Sequence, residues 1–159
     1  MAITDYIGRT VDLSIFQGSR PEGDVLLDQS LVGDTDSGAA ITGINKLAQR
    51  FLIRLLTEKG SIPYLPNEGS EFMYEARTGH FQVVSDVYAA FSASVVDIRR
   101  SFLAEEITGE PADEQFEKAE LLNVTLSGGE ASVLIKLTSR AGTSREYIAP
   151  LLTPVRGLS

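Results

Sequence analysis

Between residues 83 and 149 the spacing of apolar side chains changes from a helical to an extended period, and that change restricts the chain to a mixed fold. Val84, Val87, Phe91, Val95, Ile98 and Phe102 recur at intervals of three and four, which predicts a helix from Val83 to Glu106. An acidic connector, Thr108 to Gln115, comes next; it holds Gly109 and Pro111 and reads as a solvated loop. Beyond it Leu122, Val124 and Leu126 alternate with Asn123 and Thr125, and Ser127-Gly128-Gly129 supplies a tight turn. Val133, Ile135 and Leu137 then alternate with Leu134, Lys136 and Thr138, and a second turn at 139–143 lets Arg145 to Ala149 return as a third strand. The expected meander runs from Leu121 to Ala149. A sheet this small is stable only against a packed face.

That face is available. Ile44, Leu47, Phe51 and Leu55, widened by Ala48 and Leu52, predict an amphipathic helix from Thr42 to Thr57, with Thr42 as N-cap and Lys59-Gly60 closing it. The fold class is therefore α+β: two amphipathic helices packed on a small C-terminal antiparallel β-meander, with an irregular N-terminal arm. The divisions are an extended arm, 1–41, one domain, 42–151, and a short tail, 152–159. In the arm, Val11 to Phe16 and Val25 to Val32 are short apolar stretches between glycines and a proline, and alternation at Val11, Leu13 and Ile15 allows one strand. From Ser61 to Gly79, Pro63, Pro66, Gly69 and Gly79 forbid a long element, and Tyr64, Phe72 and Tyr74 suggest a loop packed on the core.

Charge and composition narrow the function. With 14 basic and 22 acidic side chains in 159 residues, the net charge of −8 counts against a nucleic-acid or other polyanion partner, which needs clustered Lys and Arg. No window is long and apolar enough to predict a membrane span, and the start lacks the order of a secretion signal. The absence of cysteine removes disulfides and thiolate metal ligands. His80 is the single histidine, placed just before the long helix, where capping or hydrogen bonding is its expected role. Gly33 to Gly38 has the glycine separation of a phosphate loop, but Ala39 and Ala40 occupy the Lys and Ser/Thr positions, and its Asp34 and Asp36 do not continue into a calcium-loop pattern. Neither Gly18-Ser19 nor Gly69-Ser70 extends to a nucleophile elbow, and the sequon Asn123-Val124-Thr125 falls in a strand. No cofactor, metal or catalytic residue is expected. Glycosidase pairs such as Glu105 or Glu106 with Glu71 can be named, but carboxylates at a helix end before a polar connector read as a solvated face.

The run Ile44-Asn45-Lys46-Leu47-Ala48-Gln49-Arg50-Phe51-Leu52-Ile53-Arg54-Leu55-Leu56-Thr57-Glu58-Lys59-Gly60-Ser61-Ile62-Pro63-Tyr64-Leu65-Pro66-Asn67-Glu68-Gly69-Ser70 resembles the signature of the baseplate wedge, or sheath-initiator, family of contractile phage tails. The shared pattern is a helix ending in Leu-Leu-Thr, a glycine turn, a proline loop, a Gly-Ser step, a second helix and a C-terminal hairpin, spanning about Leu47 to Leu151. The family's Glu-Pro-Arg motif has no full counterpart: Glu117-Lys118-Ala119 stands nearest in position, and Glu110-Pro111 matches two of its residues. The resemblance implies a structural virion protein, made in the host cytoplasm, that forms a ring on the wedges and meets other wedge proteins and the sheath protein. Its C-terminal sheet would accept strands from neighbours. The interface residues then expected are Glu117, Lys118, Leu122, Val124, Lys136, Arg145, Tyr147 and Ile148, with Tyr147 on an edge where proline would disturb pairing without emptying the core. The arm and tail would serve as connectors. The alternatives are a small acidic muramidase, a label some family members have carried, and another small tail or connector protein.

Overall fold

The computed structural model describes residues 10, 12–13, 16–17, 25–27, 40–105, 109–127 and 130–152. The element order is β1 (Asp12–Leu13), β2 (Phe16–Gln17), β3 (Val25–Leu27), β4 (Ala40–Ile41), α1 (Gly43–Leu56), α2 (Phe72–Arg77), α3 (Val84–Ala104), β5 (Phe116–Ser127), β6 (Glu130–Ser139) and β7 (Ser144–Leu152). The two long helices and the three-stranded meander stand where the change of period predicts them, and the class is α+β. Gly33 to Gly38, Glu106, most of the arm and the tail from 153 onward lie outside the described residues.

The helices form one layer over one sheet face. From α1, Leu47, Ala48, Phe51, Leu52 and Leu55 are buried; from α3, Val87, Phe91, Ile98 and Phe102. They meet the inward-facing residues Val133, Ile135 and Leu137 of β6 and Tyr147, Ala149 and Leu151 of β7. Val84, the first residue of the expected α3 stripe, overhangs the core and is exposed. A file of phenylalanines runs through the interface. Phe81 packs on Phe72 at 5.2 Å between ring centroids, Phe72 meets Phe91 edge-on at 6.3 Å, and Phe91 meets Phe51 at 6.3 Å. Phe51 stacks on Phe116 at 5.7 Å, and Phe116 on Phe102 at 5.3 Å. Such ring pairs add about 0.5–1.5 kcal/mol each beyond area burial.

Four features differ from the sequence expectation. The loop from 61 to 79 contains the short helix α2, which buries Phe72 and Ala76, whereas Tyr64 (93% exposed) and Tyr74 lie on the surface. The connector before β5 is not wholly solvated: Glu114 is 1% exposed, its Oε1 accepts from Gly43 N–H at 3.0 Å, and its Oε2 accepts from Lys46 Nζ at 2.6 Å. Thr42 occupies the N-cap position of α1 but makes no side-chain cap bond; Glu114 supplies the acceptor instead. The sheet, finally, has five strands in the order β2-β3-β7-β6-β5, because part of the arm extends the meander.

The arm is fastened at its base. β1 pairs antiparallel with β4, Gln49 Nε2 donates to Leu13 O at 2.7 Å, and Lys46 Nζ donates to Thr10 O at 3.1 Å.

Candidate interaction surface

The expected interface residues divide among three environments. On β7, Tyr147 is not at an open edge. β6 flanks the strand on one side and β3 runs parallel to it on the other, with Val25 opposite Tyr147 and Leu26 opposite Ile148. The Tyr147 ring is fully buried, and its hydroxyl lies 3.1 Å from Asn45 Oδ1, which also accepts from Arg145 Nη1 at 2.7 Å. Burial pushes the Tyr147 phenol well above its ordinary value, and the Arg145 charge offsets part of that rise. Proline at 147 would therefore empty the core, contrary to the sequence expectation. Tyr147 and Arg145 together tie β7 to the first turn of α1, while Ile148 faces the opposite side of the sheet.

Lys136 sits in β6, an interior strand, directly opposite Glu120 of β5 and Glu146 of β7. It belongs to a cross-strand charge row rather than to an edge.

β5 is the long outer strand among the described residues, and Glu117, Lys118 and Leu122 lie on it. Its ladder is interrupted twice, between Phe116 and Lys118 and between Leu121 and Asn123, so Glu117 and Leu122 are the bulged residues. The second bulge shifts the alternation: Leu121 and Val124 face the core and Leu122 is 42% exposed, where a strict period of two would place Leu122 and Val124 on one face. The edge is also partly closed by its own side chains. Tyr88 Oη donates to Leu122 O at 3.5 Å, and Asn123 Oδ1 accepts from Val124 N–H at 2.9 Å. Lys118 Nζ pairs with Glu120 Oε2 at 3.1 Å. Bulges and charges of this kind limit indiscriminate pairing at an edge.

A second surface, not anticipated from sequence, surrounds the loop after α1. Arg50 pairs with Glu110 at 2.5 Å, Arg54 Nε stands 3.3 Å from Glu68 Oε2, and Arg54 also pairs with Glu105. Both guanidinium groups lie over the Phe102 ring, at 5.1 and 4.7 Å from its centroid. Ile53, Ile62 and Leu65 are exposed beside this network, around a hollow of about 310 Å³, and Tyr64 is exposed on the same loop. Gly69-Ser70 closes the loop: Gly69 has φ +95°, a Cβ there would stand 2.4 Å from Thr57 O, and Ser70 Oγ donates to Leu55 O at 2.9 Å. Only glycine fits so close a backbone approach.

Compared with family models, curated proteins and solved structures, the chain matches none. Glu105 stands between two guanidinium groups, the reverse of the apolar pocket a glycosidase acid needs, and Glu71 lines a different hollow of about 370 Å³ with Glu75, His80 and Asp86. His80 Nδ1 is 2.5 Å from Glu75 Oε2. Among the described residues no group of three or more His, Asp or Glu side chains is arranged to hold a metal ion, and no helix is long and apolar enough to cross a membrane.

Proposed function

We propose that this chain is a structural component of a contractile phage tail baseplate, joining a wedge to the first sheath ring and initiating sheath assembly by β-strand addition. The observation that supports it most directly is the parallel β3–β7 ladder: the C-terminal sheet already takes up a strand from a distant part of the chain, through backbone pairing at Tyr147 and Ile148. The resemblance carried by residues 44–70 supplies the assembly context. Leu55 to Ser70 folds back on itself and leaves Ile62, Tyr64 and Leu65 exposed beside the paired arginines, which supports a docking surface for a wedge protein in this reading. In this reading the protein is not an enzyme, and its partners are wedge and sheath proteins in a multi-copy virion assembly.

Imaging native particles with this chain labelled tests the proposal. The label is expected between the wedges and the first sheath ring, and particles made without the chain are expected to carry baseplates devoid of sheath. Normal sheathed particles without it would refute the reading. Peptidoglycan cleavage by the purified protein, abolished by Glu105→Gln or Glu71→Gln, would put the muramidase in its place.

A further inference from the structure

α3 carries two stripes at helical spacing, one apolar and one made of four apolar and two charged positions. The first faces the core. The second, Asp86, Ala89, Ala93, Val96, Arg100 and Leu103, is spaced 3, 4, 3, 4 and 3 residues apart, the a/d seam of a coiled coil, and it faces solvent. Val96 and Leu103 are each 51% exposed, and Ala89, Ala93 and Arg100 are likewise exposed, although a lone surface helix has no need of heptad apolar spacing. The seam is also polarised. Its N-terminal end borders the hollow lined by Glu71, Glu75 and Asp86; its C-terminal end carries Arg100. The Glu71 carboxylate has no ion pair among the described residues, and Arg100 has only an exposed contact with Asp97 at 3.3 Å.

We infer that this seam is the contact face of an antiparallel homodimer, in which α3 of one chain lies against α3 of a second copy about a two-fold axis between residues 93 and 96. An isologous contact must be self-complementary, and reversal of direction makes this seam so. The layers become Asp86 with Leu103, Ala89 with Arg100, and Ala93 with Val96, each occurring twice. Arg100 of one copy, on the seam itself, reaches toward the Glu71, Glu75 and Asp86 hollow of the other. A parallel pairing would set acid against acid and arginine against arginine. Ala89 and Ala93 allow the axes to approach to about 8 Å, the short end of helix packing distances. Opposed macrodipoles favour the same orientation. The inference rests on this surface alone, and stands apart from the sheath reading.

The chain has no cysteine, so single introduced thiols report contact without background. A chain carrying Ala93→Cys mixed with one carrying Val96→Cys, under mild oxidation, is expected to give the mixed disulfide in excess over either homodisulfide, since a bridge requires Cα atoms within about 7 Å. Sedimentation velocity of the unmodified protein, carried to concentrations on the order of 500 µM because one helix pair is a small interface, is expected to show a monomer–dimer equilibrium that weakens with salt. Arg100→Glu should weaken it at least about tenfold by placing like charges together, with an unchanged circular dichroism spectrum. A monomer throughout the range, an Arg100→Glu chain that dimerises normally, or a preference for homodisulfides would each overturn the inference.

Discussion

Replacing Glu114 by Gln keeps the shape of the side chain and removes its charge, and the contacts of the carboxylate with Lys46 and Gly43 set the scale of the cost. Glu114 is 1% exposed and holds both Lys46 Nζ at 2.6 Å and the Gly43 amide at 3.0 Å. A neutral amide still accepts from Gly43, so the helix cap is weakened rather than lost. The Lys46 ammonium, 10% exposed, retains the two oxygens of Thr10 and loses its counter-charge. Breaking a buried ion pair costs about 3–5 kcal/mol; with Thr10 still in place, the lower end, about 3 kcal/mol, is expected. For a chain of this length that is a fall in Tm of about 6–12 °C. Lys46→Met alone should cost a similar amount, because it takes the Lys46 charge away from a buried carboxylate. The pair made together should cost less than the sum by about 2 kcal/mol or more, since no unpaired charge is left inside. Urea unfolding at pH 7, monitored by far-ultraviolet circular dichroism, measures all four corners of the cycle. Single losses below about 1 kcal/mol, or strict additivity, would show that this contact does not hold the connector to α1.

Phe91→Ala should cost about 3–5 kcal/mol, because the ring is buried between Phe51 and Phe72; a loss below about 1 kcal/mol in the same unfolding assay would place that face in solvent. Gly69→Ala should cost about 2 kcal/mol or more, from left-handed backbone and the approach of Thr57 O, and an unchanged Tm would contradict the turn geometry. Tyr147→Phe should cost about 1 kcal/mol at pH 7 by removing the hydroxyl's contact with Asn45. The raised Tyr147 phenol makes that difference pH-dependent: the folded form keeps its proton above the ordinary value of about 10 while the unfolded chain releases it, so wild-type stability is full below pH 10 and declines above it. Urea midpoints at pH 8 to 11.5 should therefore converge and then cross for wild type and Tyr147→Phe, and parallel curves would mean that the hydroxyl is solvated.

The two long helices were legible because their apolar residues are spaced for burial on one face, and the meander because small-residue turns punctuate alternating runs. What escaped depends on partners far away in sequence. Glu114 reads as one acid among several in a polar connector, and its burial arises from Lys46 and the α1 terminus arriving beside it. Tyr147 reads as an edge residue until β3 is known to lie alongside, a pairing fixed by chain path rather than by local pattern. Leu122 and Val124 look equivalent, yet a single inserted residue separates them by one face of the sheet. α2 is too short for periodicity to reveal. The outer seam of α3 was present in the spacing all along, overshadowed by the stronger core stripe on the same helix.

The phenylalanine file has a consequence for how the molecule opens. Its rings belong in turn to the segment before α3, to α2, α3 and α1, to β5 and again to α3, so every helix shares a side chain contact with the next and the sheet closes the chain of contacts. No helix can detach without breaking a link that another depends on. Amide hydrogen exchange in α1, in the middle of α3 and in the heart of β6 should therefore proceed at one common free energy, that of global unfolding, while the 61–68 loop, whose Ser61, Leu65 and Glu68 amides make local turn bonds, exchanges independently at a lower one.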